Sequence, residues 1–293
     1  MNGLAKEIKD SFKFGSSLTR LLLINVAVFV FFRIIYVILA LSGRPDLFQV
    51  VHWLSVPAYL PSLMVKPWTI ITYMFYHEDP IHIAFNLAAL FWFGKIFLIY
   101  FDNKKFTSVY LLGGISGALL YILFYNIFHV FEVVLPVSVA LGASASIMAL
   151  IVAVSFYAPN FKVYLLFLGE VKLLYLGVGY IVLDVIMLYS SNSGGHIAHL
   201  GGALFGYIWV KNLQKGKDFT IGFSNITDKI ASLFRRRKLK VTYSKPPSNE
   251  YDYNKMKVVN QKEIDRILDK ISKGGYDKLS KDEKDTLFRL GNK

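Results

Sequence analysis

The chain has 293 residues, of which 54% are hydrophobic and only 18% are charged, and its formal net charge is +13 at pH 7. Soluble domains carry about 25% charged residues, so this composition indicates a membrane protein and argues against a soluble domain. Cysteine is absent, which excludes disulfides, thiolate metal sites and a cysteine nucleophile.

Six apolar stretches, each near the ~20 residues that cross the hydrocarbon core, follow one another along the chain. They lie roughly at residues 20–42, 80–101, 107–128, 138–158, 171–189 and 196–213. Every second loop between these stretches contains lysine or arginine, and both ends of the chain are rich in them. An excess of these residues is typical of cytoplasmic segments. We therefore expect six transmembrane helices in a lipid bilayer, with both termini cytoplasmic. Because the positive charges are distributed in this way, we expect no nucleic-acid partner.

The first span and the connection after it have distinct features. The span is too long for the core of a signal peptide and lacks a small-residue cleavage site, so we expect it to remain as an anchor. Arg33 lies within it and either snorkels outward or pairs inside the bundle. The connection at residues 43–79 is apolar but is interrupted by prolines. It predicts an interfacial loop that is partly embedded in the membrane.

The second, fourth and sixth spans run from the outside inwards in this topology, so residues early in each span lie at a common depth. These residues read HEDPIHIAFN at 77–86, GASAS at 142–146 and HIAHLGGALFG at 196–206. Polar side chains inside a membrane need partners and usually mark a functional site. The sequence therefore predicts one site formed by the three segments.

The first of these segments contains two histidines that do not form a zinc motif. His77 and His82 are five residues apart, which turns two helical side chains ~140° away from each other. Asp79 is instead expected to cap the N-terminus of the helix. His82 and Asn86 are four residues apart and share one helix face. His77, like His196, is expected to line the outer mouth.

Ser144 and His199 are the candidate nucleophile and base. A serine hydroxyl needs an adjacent base, and a neutral imidazole, with a reference pKa of about 6.5, is suited to that task. The small residues around Ser144 are typical of helix packing, but they also let a substrate approach its hydroxyl. His82, Asn86 and the backbone N–H of Ser144 are candidate donors to the oxyanion.

No acidic third member is evident beside this pair. Asp184 lies in the fifth span and is interpreted as a structural hydrogen-bond acceptor. Four histidines near one level keep a metal or haem site open as an alternative, although neither a carboxylate nor a tight metal motif accompanies them. We expect no metal and no cofactor.

Three motifs on the second, fourth and sixth spans resemble the rhomboid family of intramembrane serine proteases. They are His82-x-x-x-Asn86, Gly142-x-Ser144 and Ala198-His199-x-x-Gly202-x-x-x-Gly206. The resemblance covers roughly residues 15–213. It implies a six-helix bundle with a Ser144–His199 dyad and an oxyanion pocket that includes His82 and Asn86. It also implies hydrolysis of peptide bonds in transmembrane substrates.

The chain departs from the family pattern at several positions. Ala145 follows the serine where the family usually has glycine, Thr69 replaces a common arginine, and Leu98 stands where glutamate is frequent. Met148 stands where the family often has an aromatic ring that packs on the catalytic histidine. Methionine fills that space but orients an imidazole less strictly. These departures imply modest activity or a shifted substrate range. The positions expected to support the site are Gly142, Ala145, Met148 and Gly202.

The polar tail is predicted to contain two parts. Residues 214–260 are interpreted as a basic juxtamembrane segment and a linker. Within them an apolar helix face either lies on the inner leaflet or accompanies basic residues that only set orientation. Residues 261–293 predict a helical hairpin with a break at Gly274–Gly275 and a capping box formed by Ser280 and Glu283. Such a short segment makes a poor core, so we expect it to dock on a cytoplasmic partner or elsewhere.

The sequence thus predicts an all-α membrane protein. Its expected parts are a cytoplasmic segment at 1–19, a six-span rhomboid-like catalytic domain at 20–213, the segment 214–260 and the tail 261–293. The favoured function is intramembrane proteolysis in the outer half of a plasma membrane, compatible with a bacterial inner membrane. The alternatives are a non-catalytic relative that binds transmembrane helices as a chaperone or trafficking factor, and a channel or transporter.

Overall fold

The computed structural model describes residues 10–12, 15–165, 169–190, 192–234 and 250–291. It divides into two compact units, Met1–Phe234 and Arg235–Lys293, which are described separately. The helices described in the first unit are α1 Ser17–Leu41, α2 Val51–Leu54, α3 Leu60–Val65, α4 Thr69–Thr72, α5 Pro80–Tyr100, α6 Asn103–Ile127, α7 Ser144–Tyr157, α8 Leu173–Ile186, α9 Ser193–Gln214 and α10 Thr220–Phe234. Short 3₁₀ turns at Pro45–Leu47, Tyr73–Phe75, His129–Phe131 and Met187–Tyr189 connect them.

Side-chain caps fix where helices α1, α5 and α6 begin. The Ser16 hydroxyl accepts a hydrogen bond from the Thr19 N–H at 3.2 Å. The Asp79 carboxylate accepts from the His82 N–H at 2.7 Å, which confirms its prediction as an N-cap. Asp102 caps α6 in the same way. Each cap satisfies a backbone N–H that has no partner within the helix.

Three of the described helices, α1, α5 and α6, are long and apolar enough to cross a membrane by length and composition. Helices α7 and α8 are apolar but have 14 residues each. At 1.5 Å per residue they extend about 21 Å, less than the ~30 Å of a hydrocarbon core. The chain is therefore a helical membrane protein, and the arrangement of six spans remains a prediction.

Two short antiparallel sheets correct the all-α expectation. Strand β1, Val56–Pro57, pairs with β2, Val139–Ala140. Strand β3, Lys162–Leu165, pairs with β4, Gly169–Lys172, in the segment predicted as a loop. The β1–β2 pair joins the connection after α1 to the segment that leads into α7, so it restrains the backbone just before Ser144.

The connection between α1 and α5 has one buried side and one exposed side. The Tyr73 hydroxyl donates to the Gly114 carbonyl at 2.5 Å, and the Tyr110 hydroxyl donates to the Met74 carbonyl at 3.3 Å. These bonds hold the last part of the connection against α6. Met64, on the other side, is 76% exposed. An exposed apolar side fits the predicted interfacial loop, and its contact with lipid remains a prediction.

Helix α7 lies at the centre of the bundle, between α6 and α9, and its residues Ala145–Ser155 are buried. Glycines allow the neighbouring helices to approach it closely. A Cβ added to Gly202 would overlap the Ala145 carbonyl, and one added to Gly206 would overlap the Ala149 carbonyl. The small residues of α9 therefore set its crossing with α7. This crossing positions Ser144 at the start of α7 and His199 near the start of α9.

The second unit is a helical hairpin among the residues described. Helix α11, Glu250–Gly274, begins inside the predicted linker, and α12 is Lys281–Gly291. Between them lie Gly275, with φ +78°, and a 3₁₀ turn at Tyr276–Lys278. The Ser280 N–H donates to the Glu283 carboxylate at 2.8 Å, and the Glu283 N–H donates to the Ser280 hydroxyl at 3.3 Å. This is the predicted capping box. The basic run at 235–238 lies outside the described residues.

Candidate active site

Ser144 is the first residue of α7, and two hydrogen bonds hold the turn before it. The Gly142 N–H donates to the Tyr73 carbonyl at 2.8 Å, and the Ala143 N–H donates to His77 Nε2 at 3.3 Å. Gly142 has φ +109°, a conformation that favours glycine. A Cβ at this position would also lie 2.8 Å from Cε1 of His82. Glycine is therefore required here for both conformation and space.

The structure brings Ser144 and His199 into hydrogen-bond contact. Oγ of Ser144 lies 2.7 Å from Nε2 of His199, which projects from α9. The two residues are 55 positions apart in the chain, and they meet because Gly202 and Gly206 let α9 pack closely on α7. This is the geometry that a serine nucleophile and its base require.

Asp184 on α8 lies on the other side of His199. Its Oδ1 is 2.9 Å from Nδ1 of His199 and 2.8 Å from Nδ1 of His196. The carboxylate is buried, with 5% of its surface exposed. No acidic third member is evident from the sequence, and the structure corrects this, because Asp184 lies beside His199. An ionisable residue in an otherwise apolar helix was the signal, but sequence alone could not show which way it faces.

The same three residues correct a second expectation. Asp184, His196 and His199 offer ligand atoms within 4.8 Å of one another, which is close enough to hold a metal ion. A carboxylate therefore does accompany the histidines. The two nitrogen–oxygen distances are ordinary hydrogen-bond lengths, whereas ligand atoms around a tetrahedral zinc are about 3.3 Å apart for bonds of ~2.0 Å. Hydrogen bonding accounts for the arrangement as it stands.

His82 and Asn86 lie on the opposite wall of the site, at the start of α5. Nδ2 of Asn86 donates to the His82 carbonyl at 3.1 Å and lies 3.2 Å from Nε2 of His77. Nε2 of His82 would be 3.1 Å from a Cβ on Gly142, so its ring lies directly beside the turn that leads to Ser144. Nδ2 of Asn86 would be 3.8 Å from the same Cβ. Both predicted oxyanion donors thus lie beside the turn that leads to Ser144.

His77 is part of this wall, and the expectation that it lines the outer mouth is wrong. It is only 3% exposed. Its Nε2 accepts hydrogen bonds from the Ala143 N–H and from Asn86, so it connects the turn before α7 to α5. Desolvation by burial, followed by the nearby His82, lowers the pKa of His77 to about 4. The ring is therefore neutral, which its role as an acceptor requires.

Acidification is expected to destabilise the protein through His77. Between its unfolded pKa near 6.5 and its folded pKa of about 4, the unfolded chain binds a proton that the folded chain does not. The free energy of unfolding is therefore unaffected by this group above pH 6.5 and decreases as the pH falls below that value. At pH 5 the decrease is about 2 kcal/mol. Thermal unfolding in detergent at pH 7.5 and pH 5 measures it. His77→Gln, which keeps an acceptor, should show a smaller drop; an equal drop in both proteins contradicts the assignment.

One cavity connects these groups. It has a volume of about 740 Å³, and its lining includes Ser144, His199, His82, Asn86 and Met148. Ligand sites commonly have volumes of about 300–1,000 Å³. The cavity beside Ser144 therefore has the size of a ligand site.

Two further residues singled out in the sequence, Ala145 and Arg33, are placed by packing contacts. Ala145 is buried, and its backbone carbonyl lies against Gly202 of α9. Arg33 on α1 places its guanidinium 5.1 Å from the centre of the Tyr36 ring. It also lines a small cavity with His77 and Glu78, and Glu78 lines the cavity beside Ser144 as well.

Comparison with known families decides the family of the chain. A family model described as the Rhomboid domain matches residues 65–215, just over half of the chain. The chain belongs to the rhomboid family. The matched region contains Ser144, His199, His82 and Asn86, as well as Asp184. The tail of this rhomboid, residues 248–293, matches a family of unknown function, DUF6576.

A curated relative supports the same membership. The chain is 29% identical over 162 residues to RHOMBOID-like protein 12, mitochondrial, from Arabidopsis thaliana. The alignment covers 51% of this chain and 47% of the relative. The chain thus spans about half the length of that protein.

Proposed function

We propose that this rhomboid is an intramembrane serine endopeptidase that cleaves transmembrane proteins within or near the outer half of the membrane. The observation that carries the proposal is the 2.7 Å contact between Oγ of Ser144 and Nε2 of His199 at the wall of the large cavity. A hydroxyl that donates to a neutral imidazole is activated for attack on a carbonyl.

The reaction follows from these positions. His199 Nε2 accepts the proton of the Ser144 hydroxyl as Oγ attacks the carbonyl carbon of the scissile peptide. The resulting imidazolium donates that proton to the leaving amine nitrogen, and the C–N bond breaks to leave an acyl-serine. A water molecule, deprotonated by the same Nε2, then attacks the ester and releases the carboxylate product. The imidazolium returns its proton to Oγ.

The oxyanion of each tetrahedral intermediate needs donors that are already in place. The Ser144 N–H is the first of α7, and the first N–H groups of a helix have no partner within it. His82 and Asn86 contribute side-chain donors from the facing wall. Removing one donor of this kind typically costs about 3–4 kcal/mol of transition-state stabilisation. Both N–H groups of the Asn86 amide are engaged, with Nε2 of His77 and with the His82 carbonyl. One of them must therefore leave its present partner to donate to the oxyanion.

The substrate has to unwind before it is cut. A transmembrane helix engages its carbonyls in its own hydrogen bonds, so segments with small or helix-breaking residues are the preferred substrates. Water must also reach Ser144, which fits a cavity open towards the outer side. We propose a plasma-membrane location with both termini cytoplasmic, because lysine and arginine are concentrated in the N-terminal segment, the tail and alternate loops.

A reporter assay tests the proposed function. The purified protein in liposomes is given a fluorogenic single-span substrate with a Gly/Ala-rich outer segment, and the products are identified by mass spectrometry. We expect one cut inside the membrane segment and at least about tenfold slower cutting when that segment is replaced by leucines. Binding of the intact reporter without any cleavage would contradict proteolysis and favour the transmembrane-helix chaperone instead.

A further inference from the structure

The buried carboxylate of Asp184 has no role in a serine–histidine dyad. We propose that Asp184 is a positioning residue that makes the pair work as a Ser144–His199–Asp184 triad, with His196 as a second donor that holds the carboxylate. The inference rests on the proposed function, which it deepens by adding a third group to the reaction. It is carried by the two hydrogen bonds that meet on Oδ1 of Asp184.

The first bond fixes the tautomer of the base. An ionised carboxylate can only accept, so the 2.9 Å contact with His199 Nδ1 requires a proton on that nitrogen. Nε2 of His199 then has a lone pair, and it is this atom that lies 2.7 Å from the Ser144 hydroxyl. Without Asp184 the ring could carry its proton on Nε2, where it cannot act as a base.

The same carboxylate is placed to stabilise the charged intermediate. When His199 takes the serine proton it becomes a cation inside the helix bundle, where an uncompensated charge is costly. Asp184 supplies the opposite charge about one hydrogen bond away.

The second bond explains how the carboxylate is kept in the interior. A buried ionised group needs hydrogen bonds to offset its loss of hydration. His196 Nδ1 supplies one at 2.8 Å, and it is one helical turn before His199 on the same face of α9. Oδ2 of Asp184 is buried without a hydrogen-bond partner in the described structure. Oδ1 therefore carries both bonds, and His196 holds it towards His199.

The test compares four variants with the wild type in liposomes, using the transmembrane reporter. Asp184→Asn keeps the size of the side chain but loses the charge, and it is expected to lower kcat by about 10²–10⁴-fold with KM within about threefold. His196→Ala should lower kcat by about tenfold, and His196→Gln, whose amide can donate, should recover most of that loss. Ser155→Ala removes a buried hydroxyl that has no hydrogen-bond partner among the described residues, and it should behave as the wild type.

Two measurements on each variant distinguish a role in orienting His199 from a general loss of folded protein. They are the thermal unfolding temperature and the separate values of kcat and KM. An Asp184→Asn protein that melts like the wild type and cleaves like it would overturn the inference. So would loss of wild-type activity on treatment with EDTA, which would assign the cluster to a metal. If the wild type itself does not cleave the reporter, the proposed function fails, and that result is distinct from full activity of Asp184→Asn.

Discussion

Ser144→Ala is expected to lower cleavage of the transmembrane reporter by at least about 10³-fold, with little change in the affinity for the intact reporter. The substitution removes the only oxygen at this position that can form the acyl intermediate, and the hydroxyl lies 2.7 Å from the base. The cavity loses one atom and keeps its shape, so substrate binding remains. Initial rates in liposomes, together with binding of a fluorescent reporter, measure both quantities.

Ser146 provides a matched control for this prediction. It lies two residues further along α7, it is buried, and its hydroxyl has no hydrogen-bond partner in the described structure. Ser146→Ala therefore makes the same chemical change on the same helix outside the site, and we expect wild-type rates. Equal loss of activity in both variants would mean that the helix, and not the Ser144 hydroxyl, was disturbed.

Gly202→Ala is expected to have the largest effect on stability. The added Cβ would overlap the Ala145 carbonyl, and a backbone carbonyl cannot rotate away as a flexible side chain can. Helix α9 must then move away from α7, which costs about 3 kcal/mol. The same displacement separates His199 from Ser144. We expect a lower melting temperature in detergent and a loss of activity in the protein that remains folded.

Gly179 on α8 serves as the comparison. It also lies inside a helix, but a Cβ at this position would meet nothing within 4 Å. Both substitutions gain the same ~1 kcal/mol of helix propensity, so their difference isolates the packing contact. Unchanged melting of Gly202→Ala relative to Gly179→Ala would contradict the proposed crossing of α7 and α9.

The sequence predicted those helices of the first unit that are determined by local signals. Long apolar runs and capping residues such as Asp79 fix α1, α5 and α6, because both signals are local. The two short sheets could not be predicted in the same way. Val56–Pro57 pairs with Val139–Ala140 only because distant parts of the chain are brought together. In the tail, α11 continues back to Glu250 through a polar segment that has few of the apolar residues used to recognise helices.

The residues of the candidate site also differ in whether the sequence could predict them. Ser144, His199, His82 and Asn86 could be grouped because the predicted topology runs their spans in one direction and places them at one depth. Asp184 could not be assigned, because the same topology runs its span the other way and only the folded structure shows that its carboxylate meets His199. His77 was misplaced since it precedes α5, and nothing local shows that its loop folds back onto Ala143.

Covalent labelling tests the central claim, that His199 activates the hydroxyl of Ser144. The full-length protein in liposomes is treated with a serine-directed fluorophosphonate, and the modified peptide is identified by mass spectrometry in the wild type and in His199→Ala. The account predicts a single adduct on Ser144 that forms at least about 100-fold more slowly without the imidazole. An active wild type that is labelled at another residue, or that labels Ser144 equally fast without His199, would contradict it.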